Sequence, residues 1–368
     1  MLSDLNEDQR EIRDLVRRLL ASQPVGGTTE GSSEQAARAA WSRLSGELGV
    51  GALTIPEEFE GLGLGFLELA AVLTECGRTL TPAPVLSSGL AVTALLLSDA
   101  HEVRADWLPR LAAGAIGTVA LAEDDDDWFA AVPATRARPA GPGWLLDGER
   151  LFVPDAQLAD VIVVPAGTDD GPGVFLVPTD QAGVTVTPMR GMDLSRDQAR
   201  IELRDAQAFR LDSAGFGARL LEGLRSRAMV ALAAEQLGTA ERALEMAVEY
   251  AGTRHQFGRP IGSFQAIKHH CADMLVAVER MRSIVQHAVW AVETDAPRLP
   301  QIASTAKAIC SEAVVYVTHT NVQVHGGIGF TWEHDAHRYV RRAKSTEAFL
   351  GLPEVHRTRV GDWLLTLS

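Results

Sequence analysis

Apolar residues recur at helical spacing in the first and last parts of the chain, and in short β-type runs between them. Residues 3–22 read as an amphipathic helix, with Ser3 as N-cap and Leu5, Ile12, Val16, Leu19 and Leu20 as apolar positions. A Gly/Ser/Thr-rich gap at 25–33 precedes a second helix over 33–48, and a glycine-rich loop runs from Gly49 to Gly65. Helices are then predicted over 66–76, 86–97 and 103–113. Near Gly117 the pattern changes to β-rich runs at 118–122, 144–153, 161–165, 174–178, 184–188 and 199–203, divided by Gly, Pro and Asp clusters. Such runs predict a small antiparallel sandwich or barrel. Long helices return over 214–253, 264–293, 299–325 and 335–350. The predicted class is α+β and multidomain: an N-terminal helical domain (1–116), a middle antiparallel β-sandwich or barrel (117–212) and a C-terminal helical bundle (213–368). The Asp124–Asp127 run reads as a solvated loop, and no solenoid-period repeat is visible.

Composition changes this picture little. The 368 residues are 46% apolar and 22% charged, as in an ordinary globular protein. A formal net charge of −14 argues against nucleic acid or an anionic membrane as partner, since either calls for a basic surface. Cys76, Cys271 and Cys310 are odd in number and lack metal or redox spacing, so they read as reduced thiols of a cytoplasmic protein. No metal ligand set stands out. No signal core opens the chain and no apolar run approaches a membrane-spanning length.

Two segments carry most of the chemistry. In Tyr250–Gln265 (YAGTRHQFGRPIGSFQ), Gly258 and Pro260 break a long helical pattern beside a cation (Arg254), an amide (Gln256) and a ring (Phe257). In Gln323–Gly329 (QVHGGIG), an apolar helical run ends in a Gly-Gly-x-Gly turn whose bare backbone can approach an anion. Each has a plain reading: Arg254 as an i,i+4 neighbour of Tyr250, Gln265 as a helix cap, Gly326 and Gly327 as a helix C-cap, Gln323 and His325 as core or surface groups. Together they offer a fixed positive charge, backbone donors and an apolar shelf, the needs of a dinucleotide diphosphate.

With these motifs the sequence resembles the acyl-CoA dehydrogenases, FAD enzymes that hold the ADP half of the flavin with R-x-x-F-G and Q-x-x-G-G-x-G segments. The resemblance extends through LNEDQREIRDLVRRLL, LTIPEEFEGLGLG and LLDGERLFVPDAQLADVIVVPA, in the family's order. It implies an N-terminal helical domain, a middle β domain and a C-terminal four-helix bundle, assembled as a dimer of dimers. It further implies that Gln323, Val324, His325, Gly326 and Gly327 touch the adenosine and diphosphate. Arg254, His255, Gln256, Phe257, Phe264 and Gln265 would reach the flavin of a neighbouring subunit.

The reaction half departs from the family. Dehydrogenation of an acyl-CoA needs a carboxylate of raised pKa to take the α-proton. Counting from Gly326, the position of the family's common glutamate holds Leu350, in Phe349-Leu350-Gly351-Leu352. The alternative position, ten residues before Gly238, holds Ala228. The flavin-contacting strand appears as LAEDDDDW (121–128), and the second flavin contact as Phe152-Val153-Pro154-Asp155, where proline removes a backbone donor. This asymmetry resembles one subunit type of the family's α2β2 heterotetramers, including some acting on steroid side-chain thioesters, in which the other type holds the base. Three further readings stay open. The chain could be a self-sufficient dehydrogenase with a displaced base, Glu347 or Glu235, whose plainer roles are a Lys344 partner and a helix-interface group. It could be a flavin oxidase or monooxygenase, or a structural paralogue without flavin. The implied partners are an acyl-CoA, a paralogous subunit or a second copy, and an electron-transfer acceptor.

Overall fold

The computed structural model describes residues 7–21, 25, 34–123 and 128–366. Ser3, Leu5, most of the 25–33 gap and the Asp124–Asp127 run lie outside these residues. Five helices come first: α1 (Glu7–Ala21), α2 (Glu34–Leu48), α3 (Phe66–Thr79), α4 (Val85–Leu97) and α5 (His101–Ala112). In α1, Val16 and Leu20 of the expected stripe are buried. Helix α4 (VLSSGLAVTALLL) is apolar nearly all round because it is enclosed, lying against α3, α5, the sheet and the first C-terminal helix.

Seven strands follow: β1 (Gly117–Val119), β2 (Arg136–Ala140), β3 (Gly143–Pro154), β4 (Val161–Thr168), β5 (Gly171–Pro178), β6 (Val184–Met189) and β7 (Gln198–Arg210). They form one sheet that returns on itself: β4 pairs with β5, β5 with β7, β7 with β3, β3 with β2, and β2 meets β4 at Arg136↔Gly167. The expectation of a wholly antiparallel arrangement needs correction. Both β1 and β2 run parallel to β4, and β2 and β3 supply the long connection that the parallel β1–β4 pairing requires. The run Val161–Val164 is fully buried because one face lines the barrel and the other meets α4. Strand β2 (RARPA) was not expected, since only Ala137 is buried and a proline interrupts it.

The C-terminal part holds α6 (Gly217–Thr253), α7 (Gln265–Glu293), α8 (Leu299–His325), α9 (Ala336–Ala348) and α10 (Pro353–Leu365), the last also unexpected. Residues 228–234 of α6 are entirely buried, enclosed by α3, α4, α7, α8, α9 and the sheet. Helices α3 and α6 cross with backbones in contact: a Cβ on Gly238 would stand 1.8 Å from the Thr74 carbonyl oxygen, and one on Gly77 2.0 Å from that of Glu235. Among the described residues no helix is long and apolar enough to cross a membrane. All three cysteines are free, with Cys76 and Cys310 buried.

A buried ionic knot ties the β region to the C-terminal helices. Arg342 of α9 donates to Glu235 of α6 at 2.7 Å and to Ser195 Oγ at 2.7 Å, and it also pairs with Asp193. Arg196 takes the second oxygen of Glu235. Ser195 and Asp193 belong to the loop between β6 and β7, so one guanidinium joins the β region to two helices. Removing it leaves buried Asp193 without a counter-ion and Glu235 with Arg196 alone. Arg342→Met is therefore expected to lower stability by about 3–5 kcal/mol, read as a reduced denaturant midpoint with an unchanged slope. An unaltered midpoint would show that the knot holds nothing.

Candidate functional site

The break after α6 is a two-residue β-hairpin. Strands β8 (His255–Gln256) and β9 (Arg259–Pro260) pair as His255↔Pro260 and Gln256↔Arg259. The loop residues Phe257 and Gly258 have φ of 53° and 76°, both left-handed as a type I′ turn demands. Gly258 accepts this freely, but a phenylalanine there is strained by about 1–3 kcal/mol, a feature that gathers at ligand sites. The turn pushes the Phe257 ring into solvent, 90% exposed, with one edge on Phe264 at 6.0 Å. Arg254 closes the hairpin base by accepting from Ile261 N–H at 2.8 Å. Its side chain is exposed and has no ion-pair partner among the described residues. Gln265 is the first residue of α7 and the cap position belongs to Phe264, so Gln265 does not act as the cap.

Helix α8 ends at His325, where Gly326 turns the chain with φ of 64° into a short 3₁₀ turn over Gly326–Phe330. The expected contacts divide here. Gln323, Gly326 and Gly327 lie at the surface, whereas the Val324 and His325 side chains are buried. His325 stacks on Tyr250 with ring centres 4.3 Å apart, and its Nδ1 lies 2.8 Å from the Asn321 carbonyl oxygen. Burial holds its imidazole pKa below the usual range, against the opposing pull of that backbone bond. Tyr250 is one turn before Arg254, so this stack brings the hairpin and the glycine turn side by side.

Space and chemistry here fit an ADP moiety. A Cβ on Gly326, Gly327 or Gly258 would meet nothing within 4 Å, so bare backbone faces open space. Phe330 and Trp332 stand 75% and 53% exposed beside the turn, as Phe257 does on the hairpin, and Arg341 lies over the Trp332 ring at 4.9 Å. A diphosphate, an adenine face and a subunit surface would each find a complement there.

The Leu350 segment is closely packed. Leu350 is 2% exposed with φ of 63°, and its carbonyl oxygen accepts from His356 Nε2 at 2.9 Å. Trp128 sets its edge against Phe349 at 5.0 Å, and Phe129 against His356 at 5.5 Å. A Cβ on Gly351 would already lie 3.2 Å from the Phe129 ring. Beneath this packing, buried Lys307 donates to the Glu347 carbonyl oxygen at 2.9 Å and to Ser311 Oγ at 2.7 Å, capping the end of α9. Burial pushes the Lys307 ammonium pKa down to about 7. Ala228 is fully buried within α6.

Neither displaced carboxylate is placed as a base. Glu347 pairs with Lys344, its plainer reading. Glu235 is gripped by two guanidinium groups in the buried knot. Burial raises its pKa, but Arg196 and Arg342 more than cancel this and hold it below the usual carboxylate range. A proton acceptor for an α-carbon needs the opposite. Trp128, Phe129, Lys307 and His356 were not legible as site residues, because their roles arise only where the chain after the Asp run meets α8, α9 and α10. Asp155 closes the segment that stands at the second flavin contact of the resemblance. It is fully buried, accepts from Ser87 Oγ at 2.6 Å, and burial pushes its pKa up to about 6.

Comparison with known proteins places these features in context. The acyl-CoA dehydrogenase N-terminal domain model matches residues 6–115, and the acyl-CoA dehydrogenase C-terminal domain model matches residues 218–365. Acyl-CoA dehydrogenase FadE27 of Mycobacterium tuberculosis is 36% identical over 333 residues, 88% of this chain and 87% of that protein. Acyl-CoA dehydrogenase IpdE2 of the same organism is 34% identical over 314 residues, 85% and 82% of the two chains. A chain of the ChsE4–ChsE5 complex from Mycobacterium tuberculosis superposes with a TM-score of 0.88 at 33% identity, covering 99% of each chain.

The His356 bond carries a pH signature. Burial lowers its pKa to about 4 from 6.5, with Lys307 adding repulsion, and its Nδ1 is buried without a hydrogen-bond partner. The neutral imidazole is thus the folded form. Its stabilising contribution is complete above pH 6.5 and is lost as pH falls from there toward 4. Stability measured by denaturant titration should fall across that window, and His356→Asn should flatten this part of the slope. An identical slope in the variant would mean His356 is not the titrating group.

Proposed function

The chain belongs to the acyl-CoA dehydrogenase family of FAD-dependent flavin oxidoreductases, and we propose that within it this chain is the subunit that completes an FAD site without supplying the base. The observation that carries this reading is the contrast between the two halves. The hairpin and glycine turn are exposed and complementary to a dinucleotide, while both base positions are apolar and buried, Leu350 and Ala228.

In this reading the exposed Arg254 guanidinium neutralises diphosphate charge. Gln323 and the backbone N–H groups of Gly326 and Gly327 orient the adenosine end. His255, Gln256, Phe257, Phe264 and Gln265 form the adjoining wall, with the strained Phe257 ring excluding water. Val324 and His325 act from beneath, holding the turn through packing. Bound FAD supplies the two-electron acceptor for α,β-dehydrogenation of an acyl-CoA thioester. A paralogous subunit holds the reacting carbons and the carboxylate, in a dimer of dimers that passes electrons to an external acceptor. Similarity to a two-component complex supports this, as does the exposed aromatic surface around the nucleotide segments. We further assign the domains as 1–116, 117–212 and 213–368, with the long C-terminal helices as a four-helix bundle. The commitment of Glu235 and Glu347 to ion pairs weighs against a self-sufficient enzyme.

The test compares the chain expressed alone with the chain co-expressed with a paralogous subunit. FAD absorbance and acyl-CoA-dependent acceptor reduction are expected only in the second case. In that complex Arg254→Ala should weaken FAD binding roughly tenfold to a hundredfold, the usual worth of a hydrogen bond to a charged group. A yellow, active single chain would replace this reading with a self-sufficient dehydrogenase. Peroxide formation without an acceptor would point to an oxidase.

A further inference from the structure

Between α1, α3, α6 and α7 lies a cleft of about 540 Å³, within the ordinary range for small-molecule sites. None of its walls comes from the sheet, the β8–β9 hairpin, the glycine turn or the Leu350 segment. Its floor is apolar, with Ala70, Ala71, Leu237, Val278 and Val285 buried along it. Five arginines and three glutamates also line it, with Arg10, Arg13 and Arg17 at its solvent edge and Glu75 buried and Arg78 largely buried within, in a chain whose net charge is −14.

The glutamates are already neutralised. Glu75 takes Arg17 at 2.7 Å, Glu241 takes Arg282 at 2.7 Å and Arg78 at 3.2 Å, and Glu245 takes Arg78 at 2.6 Å. The cationic excess therefore resides on Arg10 and Arg13. They stand three residues apart on one face of α1, with Arg17 a further turn along. Arg13 reaches only its neighbour Asp14, at 3.4 Å, and is partly exposed. Guanidinium groups at the mouth and hydrocarbon on the floor describe one kind of ligand. Neither an inorganic anion nor a neutral lipid would use both.

We propose that this cleft binds a single-chain anionic amphiphile with a carboxylate head, the chemistry of a long-chain fatty acid. The head meets Arg10 and Arg13 and the tail lies along the apolar floor. The proposal is independent of the subunit reading above, because no residue of the nucleotide segments takes part.

Calorimetric titration of the full chain with dodecanoate at low ionic strength tests it. One saturable site per chain is expected, weakening with added salt. Each methylene removed from water is worth about fourfold in affinity, so decanoate should bind roughly fifteenfold more weakly. Dodecyltrimethylammonium, with the same tail and opposite charge, should not compete. The double variant Arg10→Glu/Arg13→Glu should bind at least about tenfold more weakly, as two half-exposed charge contacts would give, while Arg254→Ala binds as before. Should the charge reversal unfold α1, seen as a lower melting temperature, Arg13→Gln replaces it and should still weaken binding about threefold. No saturable binding, equal binding of the cationic amphiphile, unchanged affinity in the rim variants, or loss on Arg254→Ala would each overturn the assignment. Tighter binding of dodecanoyl-CoA than of dodecanoate would move the cleft to a polyphosphate head and overturn the carboxylate.

Discussion

Much of this architecture turns on the buried guanidinium of Arg342. It is 1% exposed and bonded to carboxylates from two other parts of the chain. Such a knot is costly to bury and more costly to break, so it acts less as a store of stability than as a statement of which surfaces must meet. It sets α9 against α6 and fastens both to the loop between β6 and β7. The same choice has a chemical consequence. Glu235, a buried acid in an apolar helix, is spent as a counter-ion and held ionised. A carboxylate so placed cannot double as a proton acceptor with a raised pKa.

Around that fixed centre the two ends of the candidate site have gone different ways. At the nucleotide end, chain is spent on exposure: a strained Phe257, an uncommitted Arg254, glycines facing open space, and largely exposed rings. At the reaction end it is spent on closure. Trp128, Phe129, Phe349, Leu350 and His356 fill one another's surfaces, and Lys307 ties off the last carbonyls of α9 beneath them. An aromatic ring against Gly351 leaves no room for even a methyl group without adjustment. The chain is thus open at the hairpin and glycine turn and packed shut around Leu350.

The legible parts of the sequence were those with a strong period or a rare local shape. The 3.6-residue pattern located every long helix within a few residues, and Gly-Gly after an apolar helix marked the α8 turn. The run 161–165 announced a strand, though not that both its faces would be buried. Less legible were β2, whose RARPA exposes most of its side chains, and α10, whose apolar residues fall on no single face. The hairpin at Phe257-Gly258 read only as a break, because two strands of two residues carry no periodicity. Burial of Val324 was also hidden, and for His325 core and surface readings stood side by side, since the motif mixes buried and exposed positions.

What the sequence determined by itself was local and chemical: the order of helical and β segments, and an unusual Arg-x-x-Phe-Gly and Gly-Gly-x-Gly pair. These follow from side-chain identity and spacing alone. What only the tertiary structure decided was the fate of groups whose chemistry depends on neighbours far along the chain. Glu235 is neutralised by residues 39 and 107 positions away. The stack of Tyr250 on His325 sets two distant motifs side by side, and helices from both ends of the chain frame an arginine-rimmed cleft. A pKa, an ion pair and a cavity are properties of proximity in space, and a linear chain records proximity only along itself.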